Sequence, residues 1–268
     1  FARGLDEFGC HAQARALAHR GLVIEAGVHR DRHAAGGDLQ VDRRRTVVDE
    51  VDGGAQQLLH QPRIAGRGQL GDEPGDLLLT ESLTYAGLKS VAGLLHLRLK
   101  GLPMDAQGLR PEALEAACRE GGAKALYLIP TLHNPTTAVM PEERRREIAA
   151  IARAHGLAIV EDDVHGLLPR ERPRPIAALA PERSYYLTST SKTLAPGLRI
   201  AYVLAPPEMV ARLAGSLRAT TWAVAPLMAA VASTWIRDGT ADALLAARRQ
   251  EARERQAIAR DRLAGADF

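Results

Sequence analysis

The chain has 268 residues, 46% of them hydrophobic and 25% charged, a balance typical of soluble globular proteins and sufficient for one large domain or two smaller ones. Its net charge is only +3, and the arginine clusters at 43–45 and 144–146 are flanked by acids. They read as solvated surface, and direct nucleic-acid binding by this chain is not expected. Two cysteines, Cys10 and Cys118, lie far apart without metal-ligand spacing, which points to neither a zinc site nor a disulfide framework. The longest apolar run, 222–232, is broken by Pro226 and too short to span a bilayer. With no signal peptide in view, a reduced, cytoplasmic setting is expected. The chain starts at Phe1 rather than methionine, and a missing beginning is expected.

Residues 1–70 contain no lysine, five of the nine histidines and little periodicity. They form an atypical segment in which a helix at 13–22 is the one element expected. From about residue 74 strands and helices alternate. An apolar run at 125–129 reads as a strand. Pro141 then opens a helical pattern, with Glu142 and Glu143 in the first turn, an apolar stripe through Ile148, Ile151 and Ala152, and Gly156 as its stop. A second strand at 157–160 completes a parallel, right-handed βαβ unit. Further strands are expected at 185–188 and 200–204, and helices at 207–217 and 238–263. The alternation predicts an α/β fold with a mostly parallel sheet flanked by helices.

Three groups fall just beyond predicted strands, where open parallel sheets bind ligands. Asn134 follows the strand ending at Ile129, Asp162 follows Val160, and Ser189 and Lys192 follow Thr188. Lys192 is unusual because only four of the 35 basic residues are lysines. Arginine stays charged, whereas lysine can lose its proton and form a Schiff base. In isolation Ser-x-Ser-Lys also fits a solvated loop. Taken together, the groups match the needs of pyridoxal phosphate. Lys192 meets the aldehyde, and Asp162 keeps the pyridine nitrogen protonated. Asn134 donates to the ring oxygen, and Arg199 with Ser189 holds the phosphate.

With those residues in place, 74–265 resembles the large domain of the fold-type I pyridoxal-phosphate-dependent aminotransferases (class I/II). The nearest branch is the aminotransferase-like domain of MocR/GntR-type regulators. Pro74-Gly75-Asp76 and Glu81-Ser-Leu-Thr-Tyr85 match one family segment, and Asn134-Pro135 a second. Asp162 matches the first aspartate of "EDD", and Ser189-x-x-Lys192 with Arg199 matches the "S-x-S-K…PG-x-R" signature. The resemblance implies that Tyr85 stacks on the cofactor ring. It also implies that Gly54, Ala55 and Gln56, in a glycine turn leading into a helix, form a phosphate cup. His165 stands where the family has a tyrosine, and Thr137 where it has a glycine.

By the same resemblance, 71–237 is the cofactor-binding large domain and 238–268 a long helix leading to a small C-terminal domain. That domain, which carries the substrate-carboxylate arginine, is expected to be missing. The implied activity is transfer of an amino group between an amino acid and a 2-oxo acid through a lysine aldimine, in a homodimer. The alternatives are an effector domain of a MocR/GntR-type regulator whose winged helix is missing, another reaction of the same fold such as β-elimination or decarboxylation, and an inactive fragment.

Overall fold

The computed structural model describes residues 74–264, together with the backbone of three short strands, β1 (Leu22–Ile24), β2 (Arg45–Thr46) and β3 (Val48–Asp49). The helix expected at 13–22 lies outside the described residues except for Leu22, which opens β1. Gly54, Ala55 and Gln56 of the expected phosphate cup also lie outside them.

The order continues with β4 (Leu77–Glu81), α1 (Ala86–Leu94), β5 (Arg98–Leu102), and a small hairpin of β6 (Met104–Asp105) and β7 (Gly108–Leu109). Next come α2 (Pro111–Glu120), β8 (Ala123–Leu128), α3 (Glu142–Ala154), β9 (Ala158–Asp162), α4 (Ile176–Leu179) and β10 (Ser184–Ser189). The one-turn helix α5 (Thr190–Thr193), a 3-10 turn (Pro196–Leu198), β11 (Ile200–Ala205), α6 (Pro207–Thr220), α7 (Pro226–Asp238) and α8 (Thr240–Arg262) complete the described elements. In the main sheet the order is β2-β1-β11-β10-β9-β8-β4-β5. Strands β4, β5, β8, β9 and β10 are parallel, and β11 is antiparallel to β10 and to β1.

The two-residue period of the strands sorts the core into two layers. On one face Leu78, Ala125, Tyr127, Ala158, Val160, Tyr185 and Leu187 pack against Leu88 and Val91 of α1 and Met209, Val210 and Leu213 of α6. On the other, Leu79, Leu126, Leu128 and Ile159 meet Leu114 and Ala117 of α2, Ile148, Ala149 and Ala152 of α3, and Ile176 of α4. Each fully buried leucine or isoleucine contributes about 1.5–3 kcal/mol, so burial on both faces dominates the stability of this region.

Local signals set the helix ends. Pro111 sits in the first turn of α2 with Glu112, and Arg119 lies in its last turn. Pro141 is the N-cap of α3, and Gly156, at φ +67, follows its end. The long helix expected at 238–263 begins only at Thr240. Gly239, at φ 85, separates it from α7, which occupies most of the apolar run at 222–232 and its continuation. Pro226 interrupts that run by starting α7. Of the described residues, no helix is long and apolar enough to cross a membrane.

Candidate active site

The parallel register brings the carboxyl ends of four strands to one edge: Thr80 pairs with Tyr127, Leu128 with Glu161, and Leu187 with Asp162. Every sequence-predicted site residue within the described region lies at that edge or in the segments leaving it. Asp162 is the last residue of β9 and is 5% exposed. It shares the face of Ala158 and Val160, and on that face the Tyr127 hydroxyl donates to its Oδ2 at 2.5 Å. The Val164 N–H approaches its Oδ1 at 3.4 Å. Burial, then the negative charge of Asp162, pushes the Tyr127 phenol well above its ordinary value, so it remains a donor. Tyr127 was not singled out in the sequence. Its alternation with Leu126 and Leu128 is the one signal that placed it on the side of Asp162.

Ser189 ends β10 and caps α5. Its backbone is extended, and its Oγ accepts the Ser191 N–H at 3.3 Å. The other hydroxyls of the motif stitch the turn. Thr193 Oγ1 donates to the Ser189 carbonyl at 3.0 Å, and Thr190 Oγ1 to the Ile200 carbonyl at 3.1 Å. Lys192, on that turn, is exposed. Because β11 returns antiparallel with Ser189 opposite Ala201, Arg199 lies across from the Lys192 turn. Arg199 adopts the left-handed conformation, φ 55 and ψ 38, at the end of the 3-10 turn.

His165 lies in the turn after β9. Burial, then the positive charge of Lys192, holds its imidazole below the usual histidine value, so the ring is neutral at pH 7. Its Nδ1 is buried and has no hydrogen-bond partner among the described residues. Tyr85 caps α1 with its ring folded over Gly87, where a Cβ would come within 2.2 Å of the ring. Asn134 is exposed in the turn that follows His133.

Beneath this edge lies a buried polar cluster that sequence reasoning did not anticipate. Glu161 accepts the backbone N–H of Ile176 at 3.0 Å and of Ala177 at 2.7 Å, which fixes the start of α4. Burial, then the charge of Asp163, pushes Glu161 up to about 7. The Asp163 carboxyl, also raised by burial, receives the Tyr186 hydroxyl at 2.8 Å and Arg172 at 3.4 Å. It packs over Gly166, where a Cβ would collide at 2.0 Å. A second pair joins the neighbouring loops. Glu81 Oε2 accepts the Ile129 N–H at 3.0 Å and lies 3.2 Å from His133 Nε2.

Helix α8 closes over the same edge. The Arg249 guanidinium donates to the carbonyls of Leu167, Leu168 and Pro169, and Arg248 donates to the carbonyl of Leu194. These bonds tie the helix to both the His165 and the Lys192 segments.

A parallel sheet with a lysine-bearing turn and a buried aspartate at its carboxyl edge is the large-domain architecture of the fold-type I aminotransferases. The solved kynurenine aminotransferase of Pyrococcus horikoshii, in complex with PMP, matches with a TM-score of 0.71 at 25% identity, over 79% of this chain and 53% of that one. The α-aminoadipate aminotransferase LysN of Thermus thermophilus matches with a TM-score of 0.68 at 26% identity, over 81% and 56%. Residues 64–268 match the model of the aminotransferase class I and II family, and the chain belongs to that family. It is 35% identical to the HTH-type transcriptional regulator YdeF of Bacillus subtilis over 72% of this chain and 42% of that protein. It is 33% identical to the 2-aminoadipate transaminase of Thermus thermophilus over 53% and 37%. The chain thus spans less than half the length of these two relatives.

Proposed function

We propose that this region binds pyridoxal phosphate and transfers amino groups between an amino acid and a 2-oxo acid. The observation that carries the reading is the pairing of two strand ends. Asp162 is fixed by Tyr127 at the end of β9, and Lys192 lies in the turn after β10 beside His165, whose ring is neutral and whose Nδ1 has no hydrogen-bond partner among the described residues. The donor set fits the group. Lys192 would hold the aldehyde, Asp162 the pyridine N–H, and Asn134 and His165 the ring oxygen. Tyr85 would cover the ring, and Ser189 with Arg199 would hold the phosphate. Bound pyridoxal phosphate supplies an aldehyde that condenses with amines and a ring that stabilises negative charge on the adjoining carbon.

The residues supply the rest. The Asp162 carboxylate holds a proton on the ring nitrogen, while its hydrogen bond from Tyr127 fixes its orientation. Lys192 Nζ would be the base that moves the substrate proton. His165, neutral, offers a single N–H or a lone pair without adding charge beside Lys192. Assembly as a homodimer belongs to the same reading.

Incubation with pyridoxal phosphate, borohydride reduction and peptide mapping tests it, with the label expected on Lys192. Recovery on Lys89, Lys100 or Lys124 overturns it. The similarity to a transcriptional regulator over 72% of this chain favours a second reading, a cofactor-binding effector domain. Both readings predict the label. Only the first predicts that an added amino acid is converted to its 2-oxo acid.

A further inference from the structure

We infer that Arg145, which is not among the residues assigned to the cofactor, is a positioning residue that fixes Asn134 relative to Asp162. Arg145 projects from α3 and is fully buried. Its guanidinium occupies the mouth of the loop at 130–140 that presents Asn134. Nε donates to the Met140 carbonyl at 2.9 Å, and one terminal nitrogen to the Pro130 carbonyl at 2.9 Å and Thr131 Oγ1 at 3.0 Å. Both ends of the loop are therefore held by one rigid group. The mouth is further closed by the Met140 N–H on the Pro130 carbonyl at 2.9 Å. The other terminal nitrogen faces the second loop, 3.5 Å from the Arg174 carbonyl and 3.7 Å from Glu161 Oε1.

Glu161 directly precedes Asp162 on β9. Arg145 thereby links the base of the Asn134 loop to the strand that sets Asp162. A buried guanidinium is tolerated only with charge and acceptors around it, and those it has found belong to the Asn134 loop, to β9 and to the segment at Arg174 that leads into α4. The planar fork reaches three acceptors in different directions at once, which a lysine ammonium on a single centre does not. At the opposite side of the same loop, His133 is anchored by Glu81 and by the Leu83 carbonyl. The loop is therefore pinned at its mouth by Arg145 and near its tip by Glu81.

The inference rests on the reading of Asn134 as a cofactor ligand, and the test separates the two. Cofactor affinity is measured by absorbance for the wild type, Arg145→Lys, Asn134→Ala and the double variant, and backbone hydrogen exchange is followed without cofactor. Arg145→Lys is expected to weaken affinity about tenfold, the loss of one charge-assisted hydrogen bond. It also speeds exchange at 131–140 while leaving α2 unchanged. In the Asn134→Ala background the same change costs less than about twofold, because residues acting as a unit are not additive. Thr131→Ala, which keeps the guanidinium and removes one of its anchors together with the hydroxyl's bond to Asp163, weakens affinity in the same direction by about threefold, the scale of one neutral hydrogen bond. Additive losses in the double variant, or unchanged exchange at 131–140 in both Arg145→Lys and Thr131→Ala, overturn the inference alone. A wild type that takes up no pyridoxal phosphate, or an Asn134→Ala chain that binds it unchanged, overturns the functional reading and the inference with it.

Discussion

The carboxyl edge of the sheet and the layer directly beneath it use the same tripeptide for opposite purposes. Glu161, Asp162 and Asp163 are consecutive acids, all at least nine-tenths buried. Asp162 lies on the face of Tyr127, at the edge that carries Lys192. Glu161 and Asp163 anchor α4, Arg172 and Tyr186 on the other side. The edge carries polar groups that are not used up in holding loops, such as exposed Lys192 and the neutral His165, whose buried Nδ1 has no hydrogen-bond partner among the described residues. Its underside pairs charges to hold loops. The contrast teaches that a run of acids near a site is not a set of equivalent candidates, because strand alternation assigns each acid to a layer before any chemistry does.

The largest expected break in the comparison comes at the edge. Lys192→Ala is expected to lower transamination by about 10²–10⁴-fold, the range for a lost acid–base group, while the thermal midpoint stays close to that of the wild type. A chain that retains ordinary turnover without Lys192 removes the distinction between edge and underlayer. Next in size, Asp162→Asn is expected to cut turnover by about 10²–10³-fold, the cost of removing one preorganised electrostatic contact. Asp163→Asn instead is expected to lower stability by about 1–3 kcal/mol through Tyr186 and Arg172, with turnover per folded molecule little changed. Equal effects of the two on turnover reverse the assignment of layers.

Stability against pH probes the underside directly. Glu161 titrates near 7 in the folded chain against an ordinary value of 4.5. The folded state therefore keeps a proton that the unfolded state has released. The stabilisation is complete below pH 4.5 and is lost as pH rises to about 7, by about 3 kcal/mol at most. The raised Asp163 acts with the same sign. Thermal midpoints between pH 5 and 8 should fall for the wild type and fall less steeply in Glu161→Gln; a midpoint that instead rises over this range contradicts the buried, protonated glutamate.

The smallest effect lies in the loop that joins the layers. Thr137 is held at φ 61, and its N–H donates to the His133 carbonyl at 2.6 Å. A β-branched residue is poorly suited to the left-handed region, so Thr137→Gly is expected to stabilise by about 1 kcal/mol after allowing for the chain entropy of glycine. That corresponds to a rise in thermal midpoint of about 2–4 °C. A fall shows that the threonine side chain contributes packing that outweighs its strain.

Much of the arrangement was expected from local signals. The strands at 125–129, 157–160, 185–188 and 200–204 and the helices at 141–156 and 207–217 appear within a few residues of their predicted places. Periodicity and end signals are short-range and survive reading in one dimension. The stretch between 74 and 124 carried no assigned elements, yet it holds β4, α1, β5, the small hairpin and α2. There β5 is largely exposed to partly buried, and α1 has neither a side-chain cap nor an acidic first turn, so the usual markers are weak. The run at 222–232 was read only for its hydrophobicity, and Pro226 as a break rather than a beginning.

By itself the sequence determined the alternation of strand and helix, the strand-end positions of Asp162, Ser189 and Lys192, and the hydroxyl-rich turn that presents the lysine. Each depends on residues no more than a few positions apart. Only the tertiary structure decided the partners. Tyr127 reaches Asp162 across 35 residues, Glu81 reaches Ile129 across 48, and Arg249 reaches Leu167 across 82. It also decided that Arg145, within a run of three arginines, is the one drawn into the core. A charged side chain is buried only where acceptors from separate segments converge on it, and that convergence exists only after the sheet has set its register.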